Sequence, residues 1–186
     1  MPRGQCTLPG DEAGRILDRL AGLEQVIRPD DIRQSLTATG RVSTRSCVLT
    51  FEVILWVVLA MGLLTELPIR QVFKHARRLR VGEASPHRSS LCVARQRLGI
   101  APVRRLFEQV VRPLARPETP GAFSHGFRLM GIDGVVFDVP DSDVNAAAFG
   151  RPSAGPRGEG AFPQVRKLSL VELGTHVEVA LGSVWK

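Results

Sequence analysis

The chain has 186 residues, of which 44% are hydrophobic, so it can bury at least one sizeable core and is not disordered throughout. Its formal net charge of +7 favours a polyanionic partner, most often a nucleic acid. The three cysteines, Cys6, Cys47 and Cys92, are odd in number and far apart, which argues against both a disulfide framework and a cysteine-based zinc site.

The N-terminal region is predicted to become ordered only after its first residues. Residues 1–14 are rich in Pro and Gly and contain no apolar export signal, so we expect a disordered N-terminus and a cytoplasmic location. From Arg15 the apolar residues recur at helical spacing until Pro29 ends the pattern. A second short helix, capped by Asp30 or Asp31, is predicted to follow.

Residues 47–64 are the most apolar segment of the chain and raise the question of a membrane span. Their 18 residues only just reach spanning length, and Glu52 would cost roughly 2.5 to 3.5 kcal/mol at the centre of a bilayer. We therefore predict a central core helix surrounded by other helices, and no membrane partner.

Positive charge is concentrated between Arg70 and Arg105, where ten Arg and Lys residues face a single acid, Glu83. This local excess is larger than the net charge of the whole chain. The candidate nucleic-acid contacts are Arg70, Lys74, Arg77, Arg78, Arg80, Arg88, Arg95, Arg97, Arg104 and Arg105.

The same region shows the periodicity of three basic helices. One runs from Ile69 to Leu79, the next is capped by Ser89 or Ser90, and the third reaches Leu114. The first two, joined by a short turn, resemble a helix-turn-helix, whose second helix enters the major groove of DNA. A solvated basic face is the alternative.

The second half of the chain is predicted to contain strands. Residues 115–126, rich in Pro and Gly, form a predicted linker between a helical domain, 15–114, and a strand-containing domain, 127–186. Residues 129–139 are mostly branched or aromatic and predict a buried strand, followed by a long loop, 146–163, and a hairpin of strands 165–173 and 176–181.

Asp133 is the candidate catalytic or metal-binding residue of that strand. A carboxylate among apolar neighbours is costly to desolvate unless it is paired, hydrogen-bonded or bound to a cation. The neighbouring Gly134 leaves room for a ligand or another backbone. The alternative interpretation is an Asp whose hydrogen bonds are satisfied by a turn.

Three ordered blocks resemble the insertion-element-four family of bacterial DDE transposases, between about Arg15 and Leu181. They read LAMGLLTELPIRQVF, LCVARQRLGIAPVRRLF and GIDGVVFDVPDSDVNAAAFGRPSAGPRGEGAFPQVRKLSLVELGTH. The resemblance implies an α+β chain, with an all-helical N-terminal domain followed by an RNase H-like α/β domain. Asp133 matches the family's first catalytic Asp, a ligand of Mg²⁺ (or Mn²⁺).

The family's second Asp and its Glu belong to positions beyond Lys186, so the resemblance implies a truncated RNase H-like domain with only its first three strands. Whether the chain alone is an enzyme stays open. We expect a transposase of a bacterial insertion sequence, inactive by itself, that binds double-stranded DNA at transposon ends and is associated with the nucleoid. The alternatives are a non-enzymatic DNA-binding protein, an inhibitor that associates with itself or with full-length transposase, and a decayed reading frame.

Overall fold

A computed structural model of the chain describes residues 10–44, 47–79, 83–153 and 155–184. The chain divides into two compact units between Val110 and Val111. Within the described residues there are seven α-helices and five strands, which confirms the predicted α+β class.

The described residues of unit 1, which spans 1–110, form six helices. They are α1 (Gly10–Val26), α2 (Pro29–Ala38), α3 (Phe51–Leu63), α4 (Ile69–Ala76), α5 (Arg88–Leu98) and α6 (Ala101–Val110). The helix α3 contacts α1, α2, α4 and α5, and it buries Ile54, Leu55, Val57 and Ala60. The apolar segment is therefore a core helix, as predicted. Over the described part of the chain, no helix combines the length and the apolar character needed to cross a membrane.

Helix α3 begins where a side chain can satisfy its free backbone N–H groups. Thr50 is its N-cap, and the Thr50 hydroxyl accepts a hydrogen bond from the Val53 N–H at 3.3 Å. The apolar run predicted to be helical from Cys47 therefore enters the helix only at Phe51. Most side chains of α3 pack against apolar residues in the core of unit 1.

Helix α1 starts at Gly10, inside the segment that was predicted to be disordered. Residues 1–9 of that segment lie outside the described residues. The N-cap residue of helix α2 is Arg28 rather than Asp30 or Asp31. Asp31 lies in the first turn, and its carboxylate accepts a hydrogen bond from the Arg28 N–H at 2.9 Å. The sequence therefore located both helices but misplaced their first residues.

The two following basic helices also differ from prediction at their ends. Helix α4 ends at Ala76 rather than Leu79, because Arg78 takes a positive φ of 50° that no longer continues a helix. Helix α5 is capped by His87, not by Ser89 or Ser90. The Nδ1 atom of His87 accepts the Ser89 N–H at 3.3 Å, which satisfies one free donor of the first turn.

Unit 2, residues 111–186, has two antiparallel sheets among its described residues. A small hairpin is formed by β1 (Phe123–Ser124) and β2 (Phe127–Arg128), and a three-stranded sheet has the order β3 (Met130–Asp138), β4 (Gln164–Glu172) and β5 (Val177–Val184). The predicted strand and hairpin are thus present. The stretch predicted as a loop contains a short helix, α7 (Asp143–Phe149), whose cap Ser142 accepts the Asn145 N–H at 3.2 Å.

The predicted linker, 115–126, is part of unit 2 rather than a connection between units. Ala115 and Ala122 are buried, and the carboxylate of Glu172 has no exposed surface. That carboxylate accepts the backbone N–H groups of Leu114 at 2.9 Å and Ala115 at 2.8 Å. The segment is therefore anchored to the end of β4, fifty-seven residues or more away in sequence.

Glu172 is held ionised by these contacts. Burial raises the pKa of its carboxyl, but hydrogen bonds from the Thr175 hydroxyl, the two backbone N–H groups and Arg128 together lower the pKa to about 2. The Thr175 bond measures 2.6 Å, and the Arg128 guanidinium forms an ion pair with the carboxylate. Arg128 also donates to the Ala115 carbonyl at 3.1 Å, which ties the same segment to β2.

Candidate nucleic-acid interface

Helix α4 presents a positive face to solvent. Arg70 and Lys74, one turn apart, are exposed, while Val72 and Phe73 on the other side are buried in the core of unit 1. His75, a neighbour of this face, is partly buried, and burial together with Lys74 lowers the pKa of its imidazole. The ring is therefore uncharged at neutral pH, and the positive face consists of the Arg and Lys side chains.

Helix α5 has the same division between a buried and a charged side. Leu91 and Leu98 are fully buried, while Arg88, Arg95 and Arg97 are exposed. The helix stops at Gly99, whose φ of +73° is readily adopted by glycine. Packing of the two leucines holds the three arginines on the outer surface of the unit.

Arg41, far from α5 in sequence, contacts the end of this helix, and the sequence did not predict this contact. Its Nε donates to the carbonyl of Leu98 at 3.2 Å, at the C-terminal end of α5. A cation is favoured there because the last carbonyls of a helix carry partial negative charge. No local pattern in the sequence indicates this contact, which joins residues 57 positions apart.

The nine candidate cations that the structure describes are all exposed, and seven of them are free of ion pairs within the described residues. Arg78 pairs with Glu24 at 2.7 Å, and Arg105 approaches Glu108 at 3.9 Å. The tenth candidate, Arg80, lies outside the described residues. The seven are Arg70, Lys74, Arg77, Arg88, Arg95, Arg97 and Arg104.

The short turn of the predicted helix-turn-helix is in a different place. Residues 77–87 connect α4 and α5, a longer connection than the turn of about three to four residues in that motif. Only Gly99 and Ile100 separate α5 from α6, so the tight turn between basic helices follows α5 rather than preceding it. The sequence predicted the helices but not the turn. Its periodicity extended α4 to Leu79, whereas residues 77–79 are not helical and lengthen the connection to α5.

Asp133 lies in the middle of β3, directly opposite Ser169 of β4. Its side chain is exposed, in contrast to the prediction of a buried strand, and so are all residues from Ile132 to Asp138. Side chains of a strand project alternately from the two faces of the sheet, and the described residues leave both faces of β3 uncovered along this stretch. The side chain of Leu168 comes within 3.4 Å of where a Cβ on Gly134 would be, so the predicted space there is partly filled.

Two other acids of the three-stranded sheet, Asp138 and Glu178, have partners of their own. Asp138 accepts the Gln164 side-chain amide at 2.8 Å, and Glu178 pairs with Lys167 at 2.7 Å. Within the described ranges, no group of three or more His, Cys, Asp or Glu residues is arranged to hold a metal ion. Asp133 could contribute one carboxylate to such a centre, but the described residues do not complete a set of three ligands around it.

Comparison with known proteins gives two kinds of match. Residues 17–108 match the family model described as "Insertion element 4 transposase N-terminal". Over 164 residues the chain is 32% identical to "Transposase InsG for insertion sequence element IS4" of Escherichia coli (strain K12), covering 87% of this chain and 36% of that protein. Over 149 residues it is 29% identical to "Putative transposase InsZ" of the same organism, covering 78% and 48%. No solved structure gives a significant match.

These matches place the chain among the transposases of insertion sequences. Within that class, the chain belongs to the insertion element 4 family. The family match covers the helical unit from Leu17 in α1 to Glu108 in α6, and therefore every candidate cation. The chain spans about a third of the length of one curated relative and about half of the other.

Proposed function

We propose that unit 1 binds duplex DNA at the ends of an insertion sequence, in the bacterial cytoplasm at the nucleoid. The observation that carries this proposal is a set of seven exposed cations on and beside α4, α5 and α6, which form no ion pair with any described residue and all lie inside the family match. Lys and Arg side chains that neutralise phosphates release bound counterions, and this release drives association with DNA. Exposed arginines also form bidentate hydrogen bonds with phosphate oxygens.

For unit 2 we propose an RNase H-like sheet in which Asp133 is the first carboxylate of a DDE centre. The mid-strand position of Asp133 and its solvent-exposed carboxylate support this assignment. In such a centre, two Mg²⁺ or Mn²⁺ ions activate the attacking oxygen and stabilise the leaving oxygen of phosphoryl transfer. Asp133 would supply one ligand, and further carboxylates are needed to place two ions.

A second candidate is a DNA-binding protein that does not cut DNA and inhibits transposition by associating with itself or with full-length transposase. This candidate is favoured by the absence of a carboxylate cluster around Asp133 among the described residues. Both candidates share the DNA-binding role of unit 1. They differ in whether the chain, supplied with Mg²⁺ or Mn²⁺, cleaves or joins DNA.

The DNA-binding proposal is tested by measuring the affinity of the full chain for a labelled duplex across a series of salt concentrations. If four to six phosphates are neutralised, the logarithm of the binding constant should fall with the logarithm of salt concentration at a slope of roughly −4 to −5. Binding that does not depend on salt would contradict the proposal.

A pair of matched variants tests where the DNA lies. Arg95→Glu combined with Arg97→Glu should remove most of the affinity and flatten the salt slope. Arg28→Glu combined with Arg33→Glu makes the same change in net charge on exposed residues at the start of α2. If both double variants lose affinity equally, the net charge of the unit rather than the face containing α5 determines binding.

A further inference from the structure

The exposed face of α5 carries a stripe of uncharged side chains between its arginines. Ser89, Val93 and Gln96 follow one another at spacings of four and three residues, so they lie on the same side of the helix. All three are exposed, and Val93 has 43% of its surface accessible although its side chain is apolar. The opposite side of the helix carries the buried Leu91 and Leu98.

Positive charge borders this stripe on both sides. With 3.6 residues per turn, Arg88 and Arg95 fall along one border of the stripe and Arg97 along the other. An uncharged stripe with cations on both sides matches the major groove of DNA, where base edges lie between two phosphate backbones. A face that only bound phosphates would not need an uncharged centre.

The stripe residues have the chemistry needed to distinguish base pairs. The side-chain amide of Gln96 offers one donor and one acceptor, which match N7 and the N6 amino group of adenine, and valine methyl groups pack against the 5-methyl group of thymine. Within the described residues Gln96 makes no hydrogen bond that would occupy its amide. The Ser89 hydroxyl, in contrast, is held by His87 Nδ1 at 2.8 Å.

We propose that α5 lies in the major groove and that Gln96 and Val93 select sites containing A·T pairs, Gln96 by contacting adenine and Val93 by contacting the thymine methyl group. This inference rests on the proposed DNA-binding function and adds the residues that determine sequence specificity. In this arrangement Arg88, Arg95 and Arg97 contact the phosphates on either side.

The experiment begins with selection of binding sites for the full chain from a library of random duplexes. The selected sites should share at least one A·T pair, and Gln96→Ala should lower affinity for a selected site by about 5- to 150-fold. Affinity for a random duplex and the salt slope should stay unchanged, because phosphate contacts carry no sequence information. Circular dichroism should show the wild-type fold in Gln96→Ala and in Val93→Ala, since the Gln96 and Val93 side chains are exposed.

Atomic substitutions in the DNA test each contact separately. Replacing thymine by deoxyuridine in the selected site removes the methyl group, and this should weaken the wild type but not Val93→Ala. Replacing adenine by 7-deazaadenine should weaken the wild type but not Gln96→Ala. The matched controls are Gln25→Ala and Val26→Ala at exposed positions of α1, which should respond to both DNA changes as the wild type does.

The outcomes separate this inference from the function on which it rests. Salt-dependent binding by the wild type with no shared sequence in the selected sites would overturn the inference and leave the DNA-binding proposal intact. Equal losses on selected and random duplexes for Gln96→Ala would do the same. A wild-type chain that shows no salt-dependent binding to any duplex would overturn both.

Discussion

Gly174, in the turn between β4 and β5, is a position where a single methyl group should disturb unit 2. Its φ is +90°, and a Cβ atom there would lie 2.9 Å from the Ala122 Cβ and 3.0 Å from the Pro120 carbonyl oxygen. Glycine is therefore required both by the backbone conformation and by the close approach of the segment that the sequence predicted to be a linker. We expect Gly174→Ala to loosen that segment.

The size of the effect follows from two contributions. A non-glycine residue in a left-handed conformation costs about 1 to 2 kcal/mol. Forcing a methyl group into a packed contact costs about 1 to 3 kcal/mol more. Gly174→Ala should therefore destabilise unit 2 by about 2 to 5 kcal/mol. Gly126→Ala is the matched control, because its φ is +82° but, apart from its chain neighbours, no described residue has an atom within 4 Å of the added carbon, so only the backbone cost of about 1 to 2 kcal/mol applies.

Amide hydrogen exchange measures this difference directly. The Ala122 N–H donates to the Thr119 carbonyl at 3.2 Å, and the Leu129 N–H donates to the Ala122 carbonyl at 2.8 Å. Both should exchange faster in Gly174→Ala than in Gly126→Ala, and Glu-C protease should cut sooner after the exposed Glu118. Equal behaviour of the two variants would show that the contact with Ala122 contributes nothing. Unprotected amides in the wild type would show that residues 115–126 are a linker after all.

Two further predictions concern carboxylates of unit 2. The pKa of Glu172 is lowered from 4.5 to about 2 in the folded state, so its stabilising effect should be complete above pH 4.5 and lost as the pH falls from 4.5 towards 2. Amide exchange in β4 should show this loss in the wild type but not in Glu172→Gln, which should be less protected already at pH 7, and parallel pH profiles would refute the assignment. For Asp133→Ala we expect unchanged duplex affinity, because the proposed DNA contacts all lie in unit 1, and we expect neither chain to nick DNA with Mg²⁺ or Mn²⁺. Metal-dependent nicking by the wild type that Asp133→Ala abolishes would show that other ligands complete a centre.

Local sequence patterns determined the position of the main helices, the sides of those helices that face solvent, and the family resemblance. The apolar run that forms α3 is apolar on almost every side, and such a helix is stable in water only when it is buried. The run therefore predicted a core helix before the segments that pack against it were known. The alternation of apolar and basic residues in α4 and α5 likewise predicted which sides face solvent, because helical periodicity is a property of the segment itself. The three ordered blocks that carry the family resemblance are also a property of the sequence alone.

The tertiary structure decided the features that depend on residues far apart in the chain. Glu172 lies in the predicted hairpin strand 165–173, and only folding brings its carboxylate to the backbone N–H groups of the segment around Ala115. Asp133 was predicted to be buried from its apolar neighbours, but its exposure depends on whether another layer packs on the faces of the sheet. Local composition reports the preference of a segment for burial or extension, whereas burial and hydrogen bonding in the folded state are set by which distant segments pack against it.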